Sequence, residues 1–186
     1  MVKIIKKQKP KPKYYACRVG KFTENSHFDK TFHKPIIKKD YQNIRWAVNE
    51  VSISKKTVDS INKDIKNGTE IYIVLFPNKP NDFPYAICEL NFIKERILGP
   101  LIAIDETNDE RGWINGTSSG YDDFKYDFRF SKIYLLNKNS FNKIKLKGQK
   151  TFFELKLGFA HEELFKQIDT EIEFIKRYIQ PIICSF

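Results

Sequence analysis

The alternation of apolar and polar positions along the chain predicts strands and helices in a mixed order. Lys13-Tyr14-Tyr15-Ala16-Cys17-Arg18-Val19 predicts a strand ended by Gly20. A polar stretch carrying His27 and His33 follows to Asp40 and predicts loop or short helix. Ile44-Arg45-Trp46-Ala47-Val48 predicts a second strand. Ser54 is placed to cap a helix whose Val58, Ile61 and Ile65 share one face, since residues three and four apart stack along a helix. Asn67-Gly68 stops it.

Thr69 to Phe76 (TEIYIVLF) is β-branched and aromatic without a polar face, the pattern of a strand covered on both sides, so it is expected at the centre of a sheet. Pro77, Pro80 and Pro84 mark a turn, and Tyr85 to Ile93 alternates like the returning arm of a hairpin. Leu98 to Ile104 predicts a further short strand, and a polar loop from Asp105 to Asp123 carries Trp113. Phe124 to Leu136 resumes strand alternation, and Ile144 to Leu157 predicts a basic segment followed by a strand or extended stretch. From His161 to Gln180 the residues Leu164, Ile168, Ile172, Ile175 and Ile179 recur at helical spacing, an amphipathic helix stopped by Pro181. No internal repeat and no linker between two folded halves is evident.

Composition changes this picture in two ways. With 186 residues, 41% hydrophobic and 15% aromatic, the chain has the apolar content of a single core-forming domain and far too much for disorder. Its formal net charge of +10 favours a polyanionic partner or an acidic surface. The surplus is uneven: Lys3, Lys6, Lys7, Lys9, Lys11 and Lys13 crowd the beginning with Pro10 and Pro12 and no acid between them. Residues 1–12 are therefore expected to form a basic flexible tail, solvated or nuclear-targeting, ahead of one domain spanning 13–186. Cys17, Cys88 and Cys184 lie far apart in apolar runs, which suggests neither a disulfide framework nor a thiolate metal site and fits a reducing intracellular compartment, cytoplasmic or nuclear. No apolar run has the ~20 residues of a membrane helix, so no membrane partner is expected.

Enzyme signatures are sparse. His27, His33 and His161 are scattered, and His161-Glu162-Glu163 is not H-E-x-x-H. Neither a G-x-S-x-G elbow nor a Gly-rich phosphate loop occurs. Asp105-Glu106, Asp109-Glu110 and Asp122-Asp123 pair carboxylates in sequence, but acid–base catalysis needs two of them facing one cleft, and neighbours seldom do. The expectation is a binding module with no catalytic residue, metal or cofactor. The two tryptophans carry more. Trp46 follows Arg45 at a strand end, and Trp113 sits in Gly112-Trp113-Ile114-Asn115-Gly116, where an indole either plugs the end of the sheet or offers its face to a ligand.

The order of these features resembles the YTH domains of the PUA-like superfamily, readers of N6-methyladenine in RNA. The resemblance runs from about Tyr14 to about Phe165 and lies in Ile44-Arg45-Trp46, then Lys55-Lys56-Thr57-Val58-Asp59-Ser60-Ile61, then Ile71-Tyr72-Ile73-Val74-Leu75-Phe76. Phe83 to Leu90 (FPYAICEL), Trp113 before Phe124-Lys125-Tyr126-Asp127-Phe128, and the stretch from Lys147 to Phe165 continue it. It implies a PUA-like, YTH-like fold of the α/β (α+β) class, a curved, barrel-like mixed sheet with flanking helices. It further implies that Trp46 and Trp113 are two walls of an aromatic cage for the methylated base, with Tyr121 near a third. By the same resemblance Arg18, Val19, Gly20 and Asn25 stand where base-edge contacts are made, and Lys147 or Lys150 where a basic residue meets backbone phosphate. The implied partner is single-stranded RNA carrying N6-methyladenine.

The chain departs from the family's pattern where Arg18-Val19 replaces a lysine-serine pair and Pro84 replaces a glycine. Three alternatives therefore stand beside the first: an EVE-type relative reading a modified base in DNA, an ASCH-like or nuclease enzyme using a lysine or Asp122 and Asp123, and a scaffold whose C-terminal helix docks a partner.

Overall fold

The computed structural model describes residues 9–21, 24, 28–44, 46–48, 51–78, 84–95, 125–136, 146 and 150–184. Its first strand, β1 (Lys13–Lys21), runs past Gly20, whose φ of 78° lies in the left-handed region that glycine enters without a steric cost. The pairing register slips there, between Arg18 and Lys21. The polar stretch then winds into a π-helical turn (Asp29–His33) continuous with α1 (Lys34–Ile37), and a 3-10 turn (Tyr41–Asn43) leads into β2 (Trp46–Val48).

Helix α2 (Lys55–Lys66) begins as expected at Ser54, whose side chain accepts a hydrogen bond from the Thr57 amide at 3.2 Å. Val58 and Ile61 are its buried residues. Strands β3 (Ile71–Asn78), β4 (Ala86–Glu95), β5 (Tyr126–Leu135) and β6 (Phe152–Leu155) follow, then α3 (Glu162–Tyr178) and a two-residue strand, β7 (Ile182–Ile183). Strand β7 was not legible in the sequence, because two residues after Pro181 carry no alternation. The expected strand from Leu98 to Ile104 lies outside the described residues.

The strands form one mixed sheet in the order β2-β5-β4-β3-β1-β6, with β7 also on β5. Strand β3 is central, parallel to β1 and antiparallel to β4. Ile71 to Phe76 are all buried, the covering on both faces that the unbroken apolar run requires. The sheet departs from the barrel-like expectation: among the described residues it does not close, because β2 and β6 occupy opposite ends of the strand order. The outer edge of β5 is divided between β2, at Tyr126 to Phe128, and β7, at Lys132 and Ile133.

Alternating residues of the sheet feed two separate cores. On one face Tyr15, Cys17, Ile73, Leu75, Cys88 and Phe130 pack against α2 and the 28–46 segment. On the other, Tyr14, Ala16, Tyr72, Val74 and Ile87 pack against Leu164, Ile168, Ile172 and Ile175 of α3. Asn62 fastens α2 to the sheet by donating to the Ile93 carbonyl and accepting from its amide, both at 2.9 Å. Tyr14 donates to Asp169 at 2.9 Å and so ties β1 to α3.

Two lysines of the basic beginning are bound to the fold. Lys9 pairs with Glu70, and Lys13 lies 2.6 Å from Asp64, so acids of the domain neutralise charges that the sequence assigns to the basic run. The three cysteines are free and share the α2-side core. Among the described residues no helix is long and apolar enough to cross a membrane.

Candidate functional site: an aromatic cluster and a hydroxyl-lined cleft

Phe28 and Phe32 are four residues apart across the π-helical turn, a spacing that puts both rings on one face, and they stack at 5.2 Å. Phe28 also meets Trp46 edge-on at 5.8 Å and Tyr85 edge-on at 5.3 Å. Phe32 contacts Tyr85 and Phe130, both at 6.2 Å. Segments from before β2, from β2 and from the start of β4 are thereby joined by rings rather than by backbone ladders. Edge-to-face packing is the arrangement that aromatic quadrupoles favour.

Trp46 stands opposite Phe128 in the β2–β5 pairing and is only 5% exposed. In this conformation its ring is enclosed by its neighbours and presents no open face. Burial pushes the Cys17 thiol up to about 12, against a smaller opposing effect from the neighbouring Trp46 indole. Burial likewise raises the Tyr85 hydroxyl to about 12, with the charges of Cys88 and Asp29 adding to it.

A buried carboxylate adjoins the cluster. Asp29 is 5% exposed and lies 2.9 Å from Nδ1 of His33 and 3.4 Å from Nζ of Lys34. His33 in turn stands edge-on to Tyr85 at 6.1 Å. In the sequence His33 reads as one of three scattered histidines and Asp29 as an ordinary polar position. Their spacing of four residues within one helical turn is the signal that could have joined them.

A second feature lies on the same side of the sheet, a cleft of about 440 Å³ between the beginning of α2 and β6. Ser54, Thr57 and Ser60 line it with Lys56, Lys150 and Glu154, and the Ser54 and Thr57 hydroxyls are bonded to each other at 2.9 Å. Tyr15 and Phe152, stacked at 5.2 Å with planes 9° apart, form part of its wall. Burial raises the Tyr15 hydroxyl far above its ordinary range, with Glu154 and Asp64 adding to the effect, so it stays protonated. Among the described residues no group of three metal-ligating side chains occurs.

The structure distributes the predicted site residues unevenly. Trp46 joins the aromatic cluster, and Lys150 lines the cleft. Arg18 donates through Nη2 to the Leu146 carbonyl at 2.7 Å and through its amide to Thr151 at 2.8 Å, which ties β1 to the 146–151 segment. The Val19 side chain is buried, and Gly20 lies at the register slip near the end of β1. Trp113, Tyr121, Asn25 and Lys147 lie outside the described residues, as do Asp122 and Asp123. Phe28, Phe32 and Tyr85, the rings that surround Trp46, were missed because each reads as ordinary core in a chain with sixteen Phe and nine Tyr. No protein-family model matches the chain, and no curated protein matches it in sequence.

Proposed function

We propose that this protein binds single-stranded RNA and reads N6-methyladenine, with the base received beside Trp46. The observation that carries the reading is the aromatic cluster of Phe28, Trp46 and Tyr85, which contains the tryptophan that the resemblance assigns to the cage. The net charge of +10 supports it by favouring a polyanion. A methylated exocyclic amine stays neutral, so no counter-charge can recognise it, and selectivity comes from filling an apolar slot. Stacking on an aromatic ring contributes about 1–3 kcal/mol for any base, while one buried methyl adds about 0.8 kcal/mol. Unstacking the base costs least in a single strand. Since Trp46 is enclosed, the reading requires base entry to open its contact with Phe28.

The test is a titration of one single-stranded RNA sequence with and without the N6-methyl group, in parallel with a DNA strand carrying modified cytosine. The methylated RNA should bind at least about fourfold more tightly, the equivalent of one buried methyl, and a change in tryptophan fluorescence should accompany it. Equal affinity for methylated and unmethylated RNA removes the proposal, and preference for the DNA strand replaces it by the EVE-type reading that the Arg18-Val19 departure favours.

A further inference from the structure

We propose that the cleft between α2 and β6 is a separate site for a phosphorylated nucleotide, with Lys56 and Lys150 on the phosphate and Thr57 and Ser60 on sugar or phosphate oxygens. The inference does not rest on the reading of a modified base. Its volume of about 440 Å³ is that of a small-molecule site. Its hydroxyls both donate and accept, the capacity that sugar and phosphate oxygens call for.

Charge selects the phosphate. Lys13, Lys55, Lys132, Lys166 and Lys176 each pair with a carboxylate, and Glu154, the carboxylate in the lining of this cleft, is paired with Lys156 at 3.2 Å. Lys56 and Lys150, like Lys11, Lys38, Lys39, Lys63, Lys66 and Lys94, pair with none among the described residues, but of these only Lys56 and Lys150 line the cleft. Two uncompensated ammonium groups on a semi-enclosed surface attract an anion. Tyr15 and Phe152, stacked on each other and each 6% exposed, are the apolar part of its lining, so the occupant that matches the whole cleft has an anionic end and a less polar end. A nucleotide has both, whereas inorganic phosphate and a nucleoside each have one.

The shared chemistry has two sources, a free mononucleotide or one nucleotide of a bound strand. The probes are 5′-AMP, adenosine, inorganic phosphate and a single-stranded oligonucleotide, followed by amide chemical shifts and by affinity. The expected result is that 5′-AMP shifts the amides of Thr57 and Phe152, with adenosine and phosphate each binding at least about threefold more weakly. Lys56→Gln and Lys150→Gln should each weaken 5′-AMP by about threefold while Lys56→Arg retains it. Because both lysines are exposed, the thermal midpoint should not move. If only the oligonucleotide responds, with the slope of log affinity against log salt falling by about 0.7 for each lysine removed, the phosphate belongs to a strand. The proposal is overturned if neither ligand responds to either glutamine substitution, or if adenosine binds as well as 5′-AMP. Methyl selectivity is read separately from all of these, so the two proposals fail independently.

Discussion

The two faces of the sheet are closed by different means. On the α3 face a 17-residue helix lays Leu164, Ile168, Ile172 and Ile175 along Tyr72, Val74 and Ile87. Polar groups seal its margin: Tyr14 on Asp169, and Glu70 holding Lys9, Tyr72 and Lys176. On the α2 face the helix has only 12 residues, and the rest of the cover comes from short turns that contribute large rings. A long helix with a regular aliphatic ladder spans a sheet and fills its grooves. A short helix beside aromatic turns leaves space at its end, and that space is the cleft. Both proposals place ligand binding on the α2 face, although that face also holds the larger buried cluster.

The largest effects should separate binding from stability. Ile168→Ala should cost about 2–5 kcal/mol of stability in urea unfolding, by lost burial and a residual cavity, with methyl selectivity of the folded protein unchanged. Trp46→Phe keeps a ring in the core and should lose selectivity in far greater proportion than stability. If Ile168→Ala abolished selectivity while Trp46→Phe kept it, binding would not belong to the α2 face.

A smaller effect concerns how α2 is held. Asn62→Ala removes both hydrogen bonds to Ile93, at about 0.5–1.5 kcal/mol each. Hydrogen exchange should accelerate in α2 and at the Ile93 amide more than in α3.

The mildest test is acid. Burial opposes ionisation of Glu70, but hydrogen bonds from Lys9, Tyr72 and Lys176 outweigh it and bring the carboxyl from 4.5 to about 2. A carboxyl depressed by folding stabilises the protein above its unfolded value, and that contribution disappears as the pH falls through the folded value. Stability should therefore decline between about pH 4.5 and about pH 2, and Glu70→Gln should flatten this part of the profile. A profile unchanged by Glu70→Gln would show that the margin of the α3 face contributes nothing to its closure.

Much of the fold could be read along the chain. Ser54 capped α2 as its position and side chain predict, because an N-cap is a local arrangement of three or four residues. The ladder from Leu164 to Ile175 and the continuous run of β3 each announced their burial, since period and polarity are carried by neighbouring residues. The π-helical turn at Asp29 was not legible, because its register depends on Phe28 and Phe32 finding Tyr85 and Phe130 from distant strands. For the same reason the ring partners of Trp46 could not be chosen from among so many aromatics. Lys56 and Lys150 are 94 positions apart, and Lys56 was read only as part of a helix.

The sequence by itself determined helices α2 and α3, strands β1 to β5, which strand lies at the centre, and that the chain carries an excess of positive charge. These follow from propensity, periodicity and composition, all of which are sums over nearby residues. Only the tertiary structure decided that the described strands form an open sheet, that Lys9 and Lys13 are neutralised by Glu70 and Asp64, and that Lys56 and Lys150 line one cavity. Those outcomes depend on which residues, distant in sequence, come within a few ångströms, and there short-range contacts and charge pairing act.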